Sequence, residues 1–141
     1  GYRVPDTDCA CVPPGTTPQS TRPISTLPVR SFTTNVKAGD VIPSGRAMVL
    51  KGIAFDGGSG IAAVAVSLDG GRTWRGAALG QDLGRFSFRE WRLPVTFAAA
   101  GAAVVMVRAT STAGAVQPME ASWNPAGYMR NVVESTALSI V

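Results

Sequence analysis

Short runs that alternate apolar and polar residues follow one another from position 29 onward, separated by turns rich in glycine, proline and aspartate. Alternation with a period of two is typical of strands that bury one face, and the spacing of the runs is that of a β-sandwich. No stretch has helical periodicity of useful length, and no internal repeat is present. The pattern predicts an all-β, antiparallel sandwich of about seven strands, which cover 29–36, 46–55, 61–68, 73–79, 86–97, 105–109 and 133–141.

Two positions interrupt the alternation. Gly52 lies inside the second predicted strand, where glycine marks either a bulge or a close backbone approach. In the fifth strand the apolar positions change register, because Phe86 and Phe88 have the opposite parity to Trp91 and Leu93. We therefore expect a bulge or a break near Glu90.

The segment 67–74, Ser-Leu-Asp-Gly-Gly-Arg-Thr-Trp, joins two predicted strands. Gly70 and Gly71 can adopt the positive φ that a tight hairpin requires, so we predict such a hairpin here. The segment resembles the Asp-box hairpin of sialidases, but it occurs once, and the acidic residues do not form an evident pair of glycosidase carboxylates. Asp69, like Asp56 before it, is expected to bind backbone donors in its turn rather than calcium.

Residues 1–28 differ from the rest of the chain because they contain six prolines, at positions 5, 13, 14, 18, 23 and 28. Proline excludes a helix or a central strand, so this segment is predicted to be either an extended strap with apolar anchors or a disordered linker. The first residues resemble a cut end, which suggests that a larger domain precedes them. Cys9 and Cys11 are expected to be free thiols or bridged elsewhere, because thiols this close rarely bridge each other and two ligands do not complete a zinc site.

Composition excludes several kinds of chemistry. The chain has no histidine, so it cannot build Ser-His or Cys-His nucleophiles or histidine metal sites. Its net charge of +4 arises from scattered residues without a basic run, so we expect no nucleic-acid partner. No apolar run approaches the length of a membrane span, so no membrane partner is expected either. Only 16% of the residues are charged, which suggests a surface that meets another protein.

A family resemblance extends over nearly the whole chain. It rests on five segments in a fixed order: 52–61, 64–74, Trp91, Arg108-Ala109 with Gln117-Pro118, and Trp123-Asn124-Pro125-Ala126-Gly127-Tyr128 followed by Asn131. In this combination the chain resembles the C-terminal domain of bacterial sulfite-oxidase-type molybdenum enzymes.

The resemblance implies an immunoglobulin-like sandwich at 29–141 that makes the homodimer contact, with 1–28 as the tail of the molybdopterin domain. That parent domain would hold the molybdenum cofactor and its cysteine ligand, so the resemblance implies that this chain binds no cofactor or metal and carries no catalytic residue. It also implies sulfite or a similar oxyanion as the parent's substrate, electron transfer to a cytochrome, and a periplasmic location.

The resemblance also concerns individual residues. In animal and plant enzymes of this family, an arginine two residues after the asparagine of the Trp-Asn pair reaches the anion pocket, but here that position is Ala126. Arg130 is the nearby candidate for the edge of the substrate pocket, with a surface arginine of no catalytic role as the alternative. The remaining motif residues are predicted to be structural: Asp69, Gly70, Gly71, Trp74, Trp91, Trp123 and Asn124.

Each tryptophan has its own expected place. Trp74 and Trp91 are expected in the core or as a cover of the hairpin, because such side chains bury a large apolar area. Trp123 is expected to pin its loop to the sheet, or else to face a neighbouring domain.

The sequence is compatible with two functions. The chain is either the assembly module of a molybdenum oxidoreductase or an independent secreted immunoglobulin-like module that binds glycan or protein through exposed aromatic residues.

Overall fold

The structure, a computed structural model, describes all residues from 1 to 141. Its regular secondary structure consists only of strands. They are β1 (Arg3–Pro5), β2 (Thr21–Pro23), β3 (Arg30–Thr33), β4 (Val41–Ile42), β5 (Ala47–Phe55), β6 (Ile61–Ser67), β7 (Arg75–Gly76), β8 (Ala78–Leu79), β9 (Arg89–Thr96), β10 (Gly101–Ser111) and β11 (Ser135–Ile140).

Two sheets form the body of the protein. One has five strands in the order β4-β11-β10-β6-β7, and the other has four in the order β3-β5-β9-β8. The order of β3, β5, β9 and β8, with β6, β10 and β11 opposite, corresponds to the ABED and CFG sheets of immunoglobulin-like sandwiches. The predicted all-β sandwich is confirmed, although one pairing, between β4 and β11, is parallel rather than antiparallel.

The core lies between the two sheets. It is formed by the inward-facing residues of the long strands, because alternate residues of a strand point to opposite faces. Trp91 of β9 is completely buried there, as are Leu50 and Ala54 of β5 and Val66 and Ala109 of the opposite sheet. Trp91 thus lies in the core, one of the two places expected for it.

Gly52 marks a close approach and not a bulge. It pairs with Thr33 on one side and Trp91 on the other, and the register continues without a shift on both sides. A Cβ atom at this position would lie 2.1 Å from the carbonyl oxygen of Phe32 and 2.4 Å from Cζ2 of Trp91. The missing side chain is therefore what lets the indole of Trp91 lie against β5.

Two predicted strands differ from the observed ones. The predicted strand 73–79 is divided into β7 and β8, which belong to different sheets, because the chain crosses between the sheets at Ala77. The predicted strand 86–97 begins only at Arg89, and Phe86 and Phe88 are exposed. Arg89 pairs with Ala54, next to the end of β5, so residues before Arg89 have almost no neighbouring strand to pair with. The register is continuous through Glu90, so the strand has no bulge there, and the change in parity instead marks the start of β9 at Arg89.

The proline-rich strap is extended, as one of the two alternatives predicted. Its β1 and β2 form a small antiparallel sheet of their own. The strap is attached to the sandwich by backbone hydrogen bonds, from Val12 N–H to the carbonyl of Trp123 (2.9 Å) and from Gly57 N–H to the carbonyl of Leu27 (3.0 Å). These contacts connect it to the loops at one end of the sandwich.

The prediction that Cys9 and Cys11 do not bridge each other is wrong, since the two form a disulfide. Ala10 between them has a φ of +52°, in the left-handed region, and this turn brings the two Cα atoms to 5.1 Å. That separation is within the normal range for disulfides. The Thr7 hydroxyl holds the turn, accepting from Cys11 N–H (3.1 Å) and donating to its carbonyl (2.9 Å).

Candidate functional site

The loop that follows β6 is organised by two side chains. The hydroxyl of Ser67 donates to Oδ1 of Asp69 (2.8 Å) and accepts from Gly71 N–H (2.8 Å). Asp69 also accepts from the backbone N–H of Thr73 (2.9 Å) and from its hydroxyl (2.6 Å). The first paired residues beyond the loop are Val66 and Arg75, so the connection is wider than the predicted tight hairpin. The loop has to be this wide because the Asp69 side chain binds Thr73, four residues further along the chain.

The positive φ values predicted for Gly70 and Gly71 are observed. Hydrogen bonds also determine the charge state of Asp69. The hydroxyl of Thr73 contributes most, followed by its N–H and by the Ser67 hydroxyl, and together they lower the pKa of the Asp69 carboxyl well below its usual value. An anion held in this way by donors of its own loop stabilises the loop.

The box loop (residues 67–74) folds over the outer side of β10. Trp74 donates from Nε1 to the carbonyl of Gly71 (3.1 Å), and the Arg108 guanidinium lies over its ring at 4.6 Å from the centroid. Cation–π contacts of this kind are favourable, and they hold both groups in place. Trp74 thus covers the hairpin, one of the two places expected for it.

A long irregular loop, residues 117–131, lies beside the strap. Asn124 is buried, and it donates from Nδ2 to the carbonyl of Tyr128 (2.8 Å) while its Oδ1 accepts from Tyr128 N–H (3.1 Å). Residues 121–132 line a depression of about 460 Å³, and Trp123 is part of its wall. Through its carbonyl, Trp123 joins this loop to the strap rather than to the sheet.

Arg130 lies in the same depression. Its side chain is 60% exposed, and Nε is 3.9 Å from Oε1 of Glu134. The same oxygen accepts a hydrogen bond of 3.0 Å from Arg30, so Glu134 is already paired. Arg130 is consequently an exposed cation on a concave surface, and its role at a substrate pocket stays a prediction.

A buried polar network centred on Gln117 escaped the sequence reasoning. Oε1 of Gln117 accepts from the hydroxyl of Ser31 (2.5 Å) and from Ala109 N–H (2.8 Å), and Nε2 donates to the carbonyl of Asn131 (2.9 Å). Ser31 belongs to β3 and Ala109 to β10, so Gln117 connects both sheets with the long loop. One indication of this network is present in the sequence: the amide side chain of Gln117 precedes Pro118 and follows the turn that ends β10.

Side chains that commonly ligate metals are not clustered in this chain. No group of three or more histidine, cysteine, aspartate or glutamate side chains could hold a metal ion. The two sulfur atoms are joined in a disulfide, so neither is a thiolate ligand. The structure also contains no helix that is both long and apolar enough to cross a membrane.

The comparisons with known proteins agree on one family. The Mo-co oxidoreductase dimerisation domain matches residues 21–138. Sulfite oxidase of Gallus gallus is 35% identical over 127 residues, which are 84% of this chain and 28% of that protein. Mitochondrial sulfite oxidase of Homo sapiens is 33% identical over 116 residues, 77% of this chain and 21% of that protein. The chain therefore spans only about a quarter of the length of these relatives.

A solved structure shares the fold. The sulfane dehydrogenase SoxCD from Paracoccus pantotrophus superposes with a TM-score of 0.65 at 20% identity, over 82% of this chain and 33% of the SoxCD chain. The family match covers β2 through most of β11, which includes both sheets, the box loop and the long loop. The chain belongs to the family of Mo-co oxidoreductase dimerisation domains, as the resemblance predicted.

Proposed function

We propose that this chain is the assembly domain of a bacterial, sulfite-oxidase-like molybdenum oxidoreductase. It joins two copies of the enzyme into a homodimer and packs against the molybdopterin domain, and it contributes no chemistry of its own. The observation that carries this proposal is the match of residues 21–138 to a dimerisation domain.

The local chemistry supports a structural role. The acidic groups that the motifs single out are engaged within the chain. Asp69 is bound by its loop, and Asp56 accepts from the N–H groups of Gly58 (3.1 Å) and Ser59 (2.8 Å). Such carboxylates stabilise turns.

The direct test is the solution mass of this chain. Sedimentation equilibrium should give twice the monomer mass of 14.6 kDa in the micromolar range. A chain that remains monomeric up to the highest soluble concentration would contradict the proposed assembly role.

The end of the sandwich that bears the strap and residues 121–132 is the surface we assign to the molybdopterin domain. Arg130 then lies at the edge of the parent's substrate pocket, which is supported by its exposure and its place in the depression. In the full-length enzyme, Arg130→Ala should raise the KM for sulfite several-fold with little change in kcat. Arg46→Ala removes an exposed arginine elsewhere and serves as the control. An unchanged KM in the Arg130 variant would remove this assignment.

We further propose a periplasmic enzyme that passes its electrons to a cytochrome. The disulfide between Cys9 and Cys11 supports the location, because disulfides persist in oxidising compartments such as the bacterial periplasm. Cell fractionation with thiol labelling tests it: the protein should appear in the periplasmic fraction with both cysteines protected from labelling. Recovery in the cytoplasm with reactive thiols would contradict it.

A second candidate, a secreted glycan- or protein-binding module, has one observation in its favour. Phe86 and Phe88 are 76% and 55% exposed in the loop between β8 and β9. The guanidinium of Arg85 lies 4.6 Å from the ring centroid of Phe86 and covers part of it. Absence of binding on a glycan array would eliminate the glycan form of this alternative.

A further inference from the structure

The strap carries a disulfide that the proposed assembly role does not use. Cys9 and Cys11 are two positions apart in the sequence, so the bond closes a ring that contains only Ala10 between them. A disulfide stabilises a fold mainly by restricting the unfolded chain, and this gain is smallest for the shortest loops. Stabilisation therefore gives little reason for this bond, and its chemical reactivity is the property to consider.

The closed bond is tied to a strained backbone. Ala10 has a φ of +52°, in the left-handed region where a Cβ atom lies too close to the following carbonyl oxygen. Ala10 is buried, and its N–H donates to the carbonyl of Thr7 (3.0 Å). Opening the disulfide removes one of the constraints that hold Ala10 in this conformation, so part of the strain is released on reduction. Strained and exposed disulfides are reduced more easily than structural ones.

Cys9 is accessible to a second molecule. It is an exposed residue, whereas Cys11 is half-buried. Cys9 also lines a surface depression of about 350 Å³, which has the strap on one side and Glu120, Ser122 and Met129 of the long loop on the other. A thiol can therefore approach the sulfur of Cys9 from the solvent.

Thr7 is placed to stabilise the sulfur atom that is released. Its hydroxyl lies 3.6 Å from Sγ of Cys9 and donates to the carbonyl of Cys11 (2.9 Å). The hydroxyl can turn its hydrogen toward Sγ when Cys9 is a thiolate, because a hydrogen bond to the charged form favours that form. A thiolate stabilised in this way is a better leaving group.

We propose that the Cys9–Cys11 bond is a site of reversible thiol–disulfide exchange with a thiol partner. A thiolate of the partner attacks Sγ of Cys9, the bond to Cys11 breaks, and Cys11 leaves as a thiolate that takes a proton from water. A second partner thiolate then attacks the partner's sulfur in the mixed disulfide, and Cys9 leaves as a thiolate that is protonated in turn. The partner is oxidised to a disulfide by two electrons, and the two cysteines are reduced by the same two electrons.

The bond is closed at rest in the oxidising compartment proposed above, and only a thiol donor opens it. The contacts of Thr7 with the N–H and carbonyl of Cys11 keep the turn together, so the two sulfur atoms stay close and the bond can form again.

Alkylation of free thiols followed by mass spectrometry measures the exchange in the 141-residue chain. The chain is equilibrated with glutathione redox buffers, and circular dichroism verifies that it stays folded. Structural disulfides resist reduction by glutathione, but this bond should open in buffers that contain mostly reduced glutathione. Reduced thioredoxin, a protein dithiol, is the second reagent. Faster reduction by thioredoxin at equal thiol concentration assigns the site to protein dithiols, and faster reduction by glutathione assigns it to small thiols.

Two variants test the named residues. Ala10→Gly removes the cost of the positive φ, so half-reduction should require a ratio of [reduced glutathione]² to [oxidised glutathione] that is about fivefold higher. Ala100→Gly changes an exposed alanine outside the strap and should leave this ratio unchanged. Thr7→Val should slow the release of Cys9 from the mixed disulfide several-fold, and Thr7→Ser should restore it.

The outcomes decide the inference independently of the assembly role, because none of these measurements depends on the oligomeric state. A bond that stays closed with both reagents while the chain is folded, and opens only in urea, would overturn the exchange site. A bond that reacts in the 141-residue chain but is protected in the full-length enzyme would overturn it for the enzyme. Exchange that neither Ala10→Gly nor Thr7→Val alters would overturn the roles given to these two residues.

Discussion

Replacing Gly52 by alanine tests how tightly the two sheets are packed around Trp91. The new methyl group would lie 2.1 Å from the carbonyl oxygen of Phe32 and 2.4 to 2.5 Å from two ring atoms of Trp91. Real Cβ atoms essentially never approach other heavy atoms this closely. The indole has no room to retreat because Trp91 is completely buried. The carbonyl belongs to β3, whose register against β5 would have to be disturbed.

Two effects of this substitution oppose each other. Alanine lowers the entropy of the unfolded chain, which stabilises the fold by about 0.4–1 kcal/mol at compatible sites. Overpacking of a core costs about 1–3 kcal/mol and sometimes more. Since the clash involves backbone as well as side chain, the upper end of the cost applies, and we expect a net loss of about 2 kcal/mol. For a domain of this size, that corresponds to a decrease in Tm of about 6–8 °C.

Urea and thermal unfolding, followed by circular dichroism, measure the effect. Gly76→Ala is the matched control, because Gly76 lies in a strand and a Cβ there would have no atom within 4 Å. The control should change the free energy of unfolding by less than about 1 kcal/mol. Adding Trp91→Leu to Gly52→Ala should not restore stability, since the clash with the Phe32 carbonyl remains. A Gly52→Ala protein within about 0.5 kcal/mol of the unmodified chain would refute the close-packing argument.

Three further predictions concern polar groups. Gln117→Leu should cost about 3–5 kcal/mol in urea unfolding, because the buried Ser31 hydroxyl and Ala109 N–H and the half-buried carbonyl of Asn131 lose their hydrogen bonds. Gln19→Leu on the exposed strap should be nearly neutral, and equal effects of the two substitutions would contradict the network. The pKa of Asp69 in the folded protein lies below its value in the unfolded chain, which is near 3.8. The ionised carboxylate therefore stabilises the fold at pH values above 3.8, and this stabilisation is lost as the pH falls through the pKa of the folded protein. Asp69→Asn should therefore flatten the acid limb of the stability–pH curve below about pH 4, and an unchanged limb would exclude this role. Cys9→Ser should lower Tm only slightly, because the disulfide to Cys11 closes a very short loop. A large decrease in Tm would contradict this, because it would mean that the disulfide stabilises the sandwich as well as the strap.

Much of the sandwich was predictable because its signals are local. Alternation of apolar and polar residues placed strands β5, β6, β10 and β11 to within a few residues, since a strand that buries one face must repeat with a period of two. The positive φ of Gly70 and Gly71 and the turn role of Asp56 also follow from the chemistry of neighbouring residues. The family resemblance rested on an ordered set of such local motifs.

The parts that sequence reasoning missed depend on residues far apart in the chain. The chain crosses between the sheets at Ala77, and β9 begins only at Arg89. Both positions depend on where the partner strands end, and the residues next to Ala77 and Arg89 in the sequence do not contain that information. The Cys9 to Cys11 bridge depends on a left-handed Ala10, a conformation that alanine rarely adopts without support from a neighbour such as Thr7.

By itself, the sequence determined the all-β class, the positions of most long strands, the turn chemistry and the family of this chain. The tertiary structure alone decided that Gly52 makes room for Trp91, that Gln117 connects the two sheets, and that the long loop and the strap form one surface with Arg130 at its depression. The physical reason is that alternation and turn propensity are set by adjacent residues. Close packing and buried hydrogen bonds are instead set by partners such as Ser31 and Asn131, which meet Gln117 only once the sheets have assembled.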